Sequence, residues 1–225
     1  MKYTAKMLLL CLAACVFVGC SASTAEPYGV VRVLRYVIGV CDGEFFTLNS
    51  AERICDDPTE DVYYFTTKRG LAFTATSYLL PISIDASVSS FCTKNLKTDY
   101  IDAVHALYED AVAALFPEEI IITQFADVAQ IVEDIAAANE IYRAELAYHD
   151  ADFLSENPLC TLSIRAIQPD GSKYYCLYIP IDGAEDTDAI RAAILQSYCQ
   201  AVYDGALIDD TIPAEYVAEY LIEME

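Results

Sequence analysis

The sequence predicts an α+β fold with a mostly antiparallel sheet built from hairpins, three longer helices and a short C-terminal helix. Three observations carry that reading. Strand-like runs rich in Tyr, Phe, Thr and Val flank short Gly-containing connections at two places, 61–80 and 159–181. Apolar residues recur at helical spacing over three long segments, each with a starting or stopping signal. The order, strands first, then helices, a hairpin, and helices again, segregates the element types instead of alternating them.

Taken in order, Tyr28 to Val40 is apolar apart from Arg32 and Arg35. Three residues apart, the two arginines share a helical face but would fall on opposite faces of a strand, so the segment is expected to be a helix. Glu44 to Leu48 reads as a strand. Asp61–Thr67 and Leu71–Leu80 read as a hairpin across Lys68-Arg69-Gly70, with Pro81 ending the second strand or marking an edge and Ile82–Val88 continuing it after a kink. Thr98 or Asp99 is placed to cap a helix to about Phe116, with Ile101, Val104, Tyr108, Ala111, Val112 and Leu115 as its apolar stripe.

Ile120 to Phe125 suits a buried strand. A second long helix spans about Asp127 to Tyr148, facing Val128, Ile131, Val132, Ile135 and Tyr142 inward. Asn157-Pro158 ends it, and Leu159–Ile167 and Lys173–Ile181 then flank the turn Pro169-Asp170-Gly171-Ser172. The second of these strands is apolar on both sides, which places it inside the sheet. Asp186, Thr187 or Asp188 caps a third long helix to about Tyr203, stopped by Gly205, and Pro213 opens a short last helix ending near Met224.

The chain has 35 acidic and 13 basic residues, a net charge of −22. Such acidity repels phosphate backbones, which excludes nucleic acid as a partner, and predicts no basic patch for an anionic membrane. Tyrosine is abundant at 17 with no tryptophan. Tyrosines on exposed strands offer apolar area with a polar tip, a platform suited to a protein or peptide partner.

No nucleophile elbow, metalloprotease helix, phosphate loop or dinucleotide fingerprint is present. The candidate catalytic groups are His105, with Asp102 three before it and Glu109 four after it on one helical flank, and His149, at a helix end beside Asp150 and Asp152, with Leu146 where a matching acid would sit. Asp182, Asp186 and Asp188 supply alternate acids of the kind calcium loops use. They lack the Gly and the terminal Glu of an EF-hand, and helix capping with acids in the first turn is the favoured account.

The N-terminus reads as an export leader. Lys2 and Lys6 precede the apolar run Met7–Val18, which is shorter than the roughly 20 residues of a spanning helix. Phe17-Val18-Gly19-Cys20 resembles the lipobox of bacterial lipoproteins. Leu12-Ala13-Ala14-Cys15 also fits that motif, but cutting there would leave apolar Val16-Phe17-Val18 on the mature chain. The resemblance covers this segment alone. It implies a signal peptide over 1–19, acylation of Cys20 and a short tether over 20–27, ahead of a single α+β domain over 28–225 on the extracytoplasmic side of a bacterial membrane.

Six cysteines then remain, Cys41, Cys55, Cys92, Cys160, Cys176 and Cys199. An even number in an exported chain suits disulfides, with Cys41–Cys55 and Cys160–Cys176 as the favoured pairings. Three roles stay open: a non-catalytic binding or assembly domain at the cell envelope, an exported hydrolase with a Cys/His or acid/His site, and a calcium-stabilised surface domain.

Overall fold

The computed structural model describes residues 26–55, 59–82, 91–116, 120–167, 170–172, 174–183, 186–213 and 216. The leader, both lipobox cysteines, the expected continuation after Ile82 and the expected last helix lie outside these residues. The fold is α+β with mostly antiparallel pairing, and contacts divide the chain between Ala106 and Leu107 into two compact units, each with its own sheet and core.

The N-terminal unit contains α1 (Val30–Val40), β1 (Phe46–Ile54), β2 (Glu60–Thr67), β3 (Ala72–Ile82), β4 (Phe91–Thr98) and α2 (Tyr100–His105). Its sheet is an antiparallel meander in the order β1-β2-β3-β4. The expected hairpin is present, with Phe65 opposite Phe73 and Gly70 at φ 91°, a left-handed conformation glycine adopts without steric cost. Pro81 lies past Tyr78, the last β3 residue that β2 partners, so its missing N–H interrupts no bond to β2.

Alternation gives this sheet two distinct faces. Tyr63, Phe65, Phe73, Ala75, Ser77 and Leu79 are buried on one face, together with Val33 and Val37 of α1, Cys41 just after it, and Tyr100 and Val104 of α2. Phe65 stacks on Phe73 at 5.1 Å, and Phe73 meets the Tyr100 ring edge-on at 4.9 Å. The opposite face carries Val62, Tyr64, Thr66, Thr74, Tyr78 and Leu80.

The C-terminal unit contains α3 (Glu109–Ala113), β5 (Ile120–Ile122), α4 (Phe125–Arg143), a 3-10 turn at Ala144–Ala147, α5 (Ala151–Glu156), β6 (Cys160–Ile167), β7 (Tyr174–Ile181) and α6 (Thr187–Tyr203). Its sheet has the order β5-β6-β7, with β5 parallel to β6 and β6 antiparallel to β7. Thus β6 is the inner strand and β7 lies at an edge of the described sheet, the reverse of the sequence expectation. The reason is visible in Tyr178, which is 67% exposed despite its size.

The α4 stripe is as expected: Val128, Ile131, Val132, Ile135 and Tyr142 are all buried. Asp186 caps α6 by accepting the Ala189 N–H at 2.9 Å, and Gly205 follows it at φ 69°.

The helix expected over 98–116 is not continuous. α2 ends at His105, residues 106–108 form turns, and α3 begins at Glu109. Ala106, Leu107 and Tyr108 are compatible with helix, so tertiary demand and not local propensity sets the break. Val104 is buried in the N-terminal unit, while the Tyr108 ring packs edge-on against Tyr142 at 5.6 Å in the C-terminal one. One apolar stripe therefore serves two cores.

Asp209 stitches the C-terminal unit together. Its carboxylate accepts the Phe125 N–H opening α4, the Tyr198 hydroxyl of α6 and the N–H and hydroxyl of Thr211. Burial pushes its pKa up, but the hydrogen bonds from Thr211, Tyr198 and Phe125 outweigh that and hold it below the ordinary value. Asp127 behaves alike, its burial being outweighed by hydrogen bonds from Thr123 and Gln124. A carboxyl depressed in the folded state contributes stability above its unfolded pKa and loses it as pH falls through the lower folded value. Stability is therefore expected to drop below the usual Asp range, and Asp209→Asn to weaken this part of the acid transition, as read by circular dichroism against pH.

Candidate functional site

The structure separates the residues picked out by sequence. Asp102 and His105 lie on α2, but the interruption at 106–108 removes the continuous helix that would have placed Glu109 one turn on along the same flank. Glu109 sits on α3, where its charge, after burial, helps push the Cys160 thiol up.

His149 is not a surface residue beside a helix end. Its side chain is fully buried, and its Nε2 lies 3.3 Å from Oε1 of Glu145, whose side chain is also fully buried. The Tyr108 hydroxyl donates to Glu145 Oε2 at 2.6 Å, and the imidazole stacks on the Phe153 ring at 3.8 Å. Local sequence builds this arrangement. The chain leaves α4 through one 3-10 turn, which keeps Glu145 and His149 in reach, and Asp150 caps α5 by accepting the Phe153 N–H at 2.9 Å, fixing Phe153 under the ring. Three residues before His149 stands Leu146; the acid, Glu145, is four before it. The available signal was the i,i+4 spacing itself. Chemically the trio can hold a proton between a carboxylate and an imidazole, with the acid and imidazole side chains both fully buried.

Asp182, Asp186 and Asp188 form no cluster among the described residues whose oxygens converge on one point. Asp186 spends its carboxylate on the α6 cap. Nearby, Gly183 (φ 75°) donates its N–H to the side chain of buried Asn139 at 3.0 Å, and a Cβ there would meet Leu154 at 2.8 Å. The segment is organised by packing against α4 and α5.

The favoured disulfide pairings are not made. Cys41 follows α1 and lies before the start of β1, whereas Cys55 follows the end of that nine-residue strand, about 30 Å of extended chain away. In the second hairpin Cys160 pairs with Ile181 and Cys176 with Arg165, five positions along the ladder, so their Cα atoms are far beyond the roughly 7 Å a bridge spans. Cys41, Cys160 and Cys199 are free thiols. Burial, with a smaller contribution from Glu44, pushes Cys41 up to about 12, and burial pushes Cys160 and Cys199 up as well. Such thiols stay protonated and make poor nucleophiles.

The N-terminal unit presents polar and aromatic side chains on one face of its sheet. On the sheet face away from its helices, Tyr64 donates to Glu52 at 3.4 Å, Asn49 donates to Thr66 at 2.7 Å, and the Lys97 ammonium lies 5.0 Å from the Tyr78 ring centre and 3.8 Å from Glu60. Tyr64 is 38% and Leu80 44% exposed. At the start of α1, the Tyr28 N–H donates to Ser77 Oγ at 2.6 Å, and its ring has Arg32 and Lys94 each 5.7 Å from its centre.

Charge is divided unevenly. The C-terminal unit carries 24 acids against four cations, whereas residues 20–106 carry 11 acids against seven cations. No helix of the described residues is long and apolar enough to cross a membrane. No protein-family model matches the chain, and no curated protein or solved structure was found to be similar to it.

Proposed function

We propose that the chain is an exported lipoprotein, acylated at Cys20, whose folded part is a non-catalytic binding or assembly domain at a bacterial envelope. The observation that carries the binding role is the β1–β4 sheet face bearing Tyr64, Tyr78, Leu80 and a row of threonines. Tyrosine and threonine on a pleated surface give apolar area and hydrogen-bonding tips at low entropic cost, the composition of a protein- or peptide-contacting surface. The hydrolase alternative is less well supported, because Cys41, Cys160 and Cys199 are held protonated and the His149 side chain is fully buried. Asp186 is engaged as a helix cap, which weighs against the calcium alternative.

Two measurements test the reading. Cells supplied with labelled palmitate should incorporate it into this chain, and Cys20→Ala should abolish incorporation. Label that persists at another cysteine, or never enters, overturns the anchor. A photoreactive side chain replacing Tyr64 or Tyr78 should crosslink to one and the same envelope partner, while one replacing Tyr203, 69% exposed in the C-terminal unit, should not. Identical products from all three positions, or none, overturn the binding face.

A further inference from the structure

We propose that the outward face of α1, formed by Val31, Arg32, Arg35 and Ile38, seats on the anionic phospholipid headgroups of the membrane that holds the acyl chains of Cys20. The inference rests on the lipid anchoring proposed above and adds an orientation to it. The overall acidity predicts no basic patch, but the fold sorts the charges.

Val33 and Val37 point into the core of the N-terminal unit at 0% exposure, which turns positions 31, 32, 35 and 38 outward together. Val31 is 68% and Ile38 52% exposed, both arginines are exposed, and α1 contains no acid along its 11 residues. Two cations flanked by two branched apolar side chains make an interfacial helix face. The aliphatic groups enter the headgroup boundary while the guanidiniums meet phosphate. Among the described residues, the acids next to this helix in sequence are Glu26, four residues before it and 3.9 Å from Arg53, and Asp42 and the buried Glu44, both past its last turn.

Chain length brings the face to the bilayer. Tyr28 is the eighth residue after Cys20, a reach below about 30 Å even fully extended. Tyr28 is fixed to the sheet through Ser77, and Pro27 is buried, so the tether ends at a set place beside α1. Lys94, sharing the Tyr28 ring with Arg32, adds a third cation at that exit. A headgroup phosphate fits this face by charge, and the anchor holds the two together at high effective concentration.

The absence of tryptophan gives a clean reporter. The full chain carrying Ile38→Trp is reconstituted, with Cys20 acylation verified by mass, into vesicles of phosphatidylcholine alone or mixed with phosphatidylglycerol, each with brominated acyl chains. Emission is expected to shift blue and be quenched on the anionic vesicles and not on the neutral ones. Arg32→Gln with Arg35→Gln should shift the docked population back by about fivefold per arginine, roughly 30-fold for the pair, and Tyr203→Trp should stay unquenched throughout. Unquenched Ile38→Trp emission on both vesicles with Cys20 acylated overturns the docking and leaves the anchor standing. Equal quenching on both shows tether-enforced proximity and also overturns it. A chain found without acyl groups overturns the anchor; the docking is then read by adding the same vesicles to the soluble chain, with anionic-only quenching required.

Discussion

Glu145→Ala is expected to destabilise the C-terminal unit by about 3–5 kcal/mol, the range for removing one partner of a buried acid–base contact. The substitution withdraws the acceptor of the Tyr108 hydroxyl and of His149 at once, inside a site where both acidic and imidazole side chains are fully buried. It also opens a cavity beneath the His149–Phe153 stack. Glu145→Gln preserves the shape and one acceptor oxygen, so its cost should fall to about 1–3 kcal/mol, the penalty for imperfectly satisfying buried polar groups. Urea unfolding followed by amide exchange in α4 and α5 reads both. Equal and small effects, below about 1 kcal/mol, would show that the acid is peripheral to stability.

Phe65→Ala should cost the N-terminal unit a similar amount, about 3–5 kcal/mol. Phe65 is 1% exposed and is the hub of the aromatic cluster, edge-on to Phe46 at 5.4 Å and stacked on Phe73 at 5.1 Å. Its loss removes both ring contacts and leaves a void on the helix-covered face. Phe65→Leu, which refills much of that volume, should recover most of the stability. Amide exchange resolved by unit is the appropriate measurement, because the loss should appear in β2 and β3 while α4 and α6 stay protected.

These two sites differ in how far the sequence announced them. The aromatic core follows from Phe65 and Phe73 standing at corresponding positions either side of a Gly-containing turn, and hairpin geometry does the rest. The α4 stripe, the Asp186 cap and the Gly205 stop were readable for the same reason: each depends on residues within one or two turns of one another. β4 was not anticipated, because an edge strand carrying Thr93, Lys94, Asn95 and Lys97 has no apolar alternation to read. The Glu145–His149 pair showed its spacing but not its burial, because contacts such as those of Phe153 and Tyr108 are made by tertiary packing. The split between α2 and α3 was equally invisible, since no residue there opposes helix. The disulfide expectations failed because cysteine parity says nothing of register, and in both cases register or strand length holds the sulfurs apart.

The meander of the first unit bears on how the chain comes to be folded at all. Every strand there pairs with its immediate successor, so each loop closure is short and the whole sheet can assemble as the polypeptide emerges. The second unit has to wait: Ile120 finds its parallel neighbour Ile164 only after 44 further residues have been made. The two halves therefore differ in what they demand of the chain, a quick one of short closures and a slower one that waits for a distant partner.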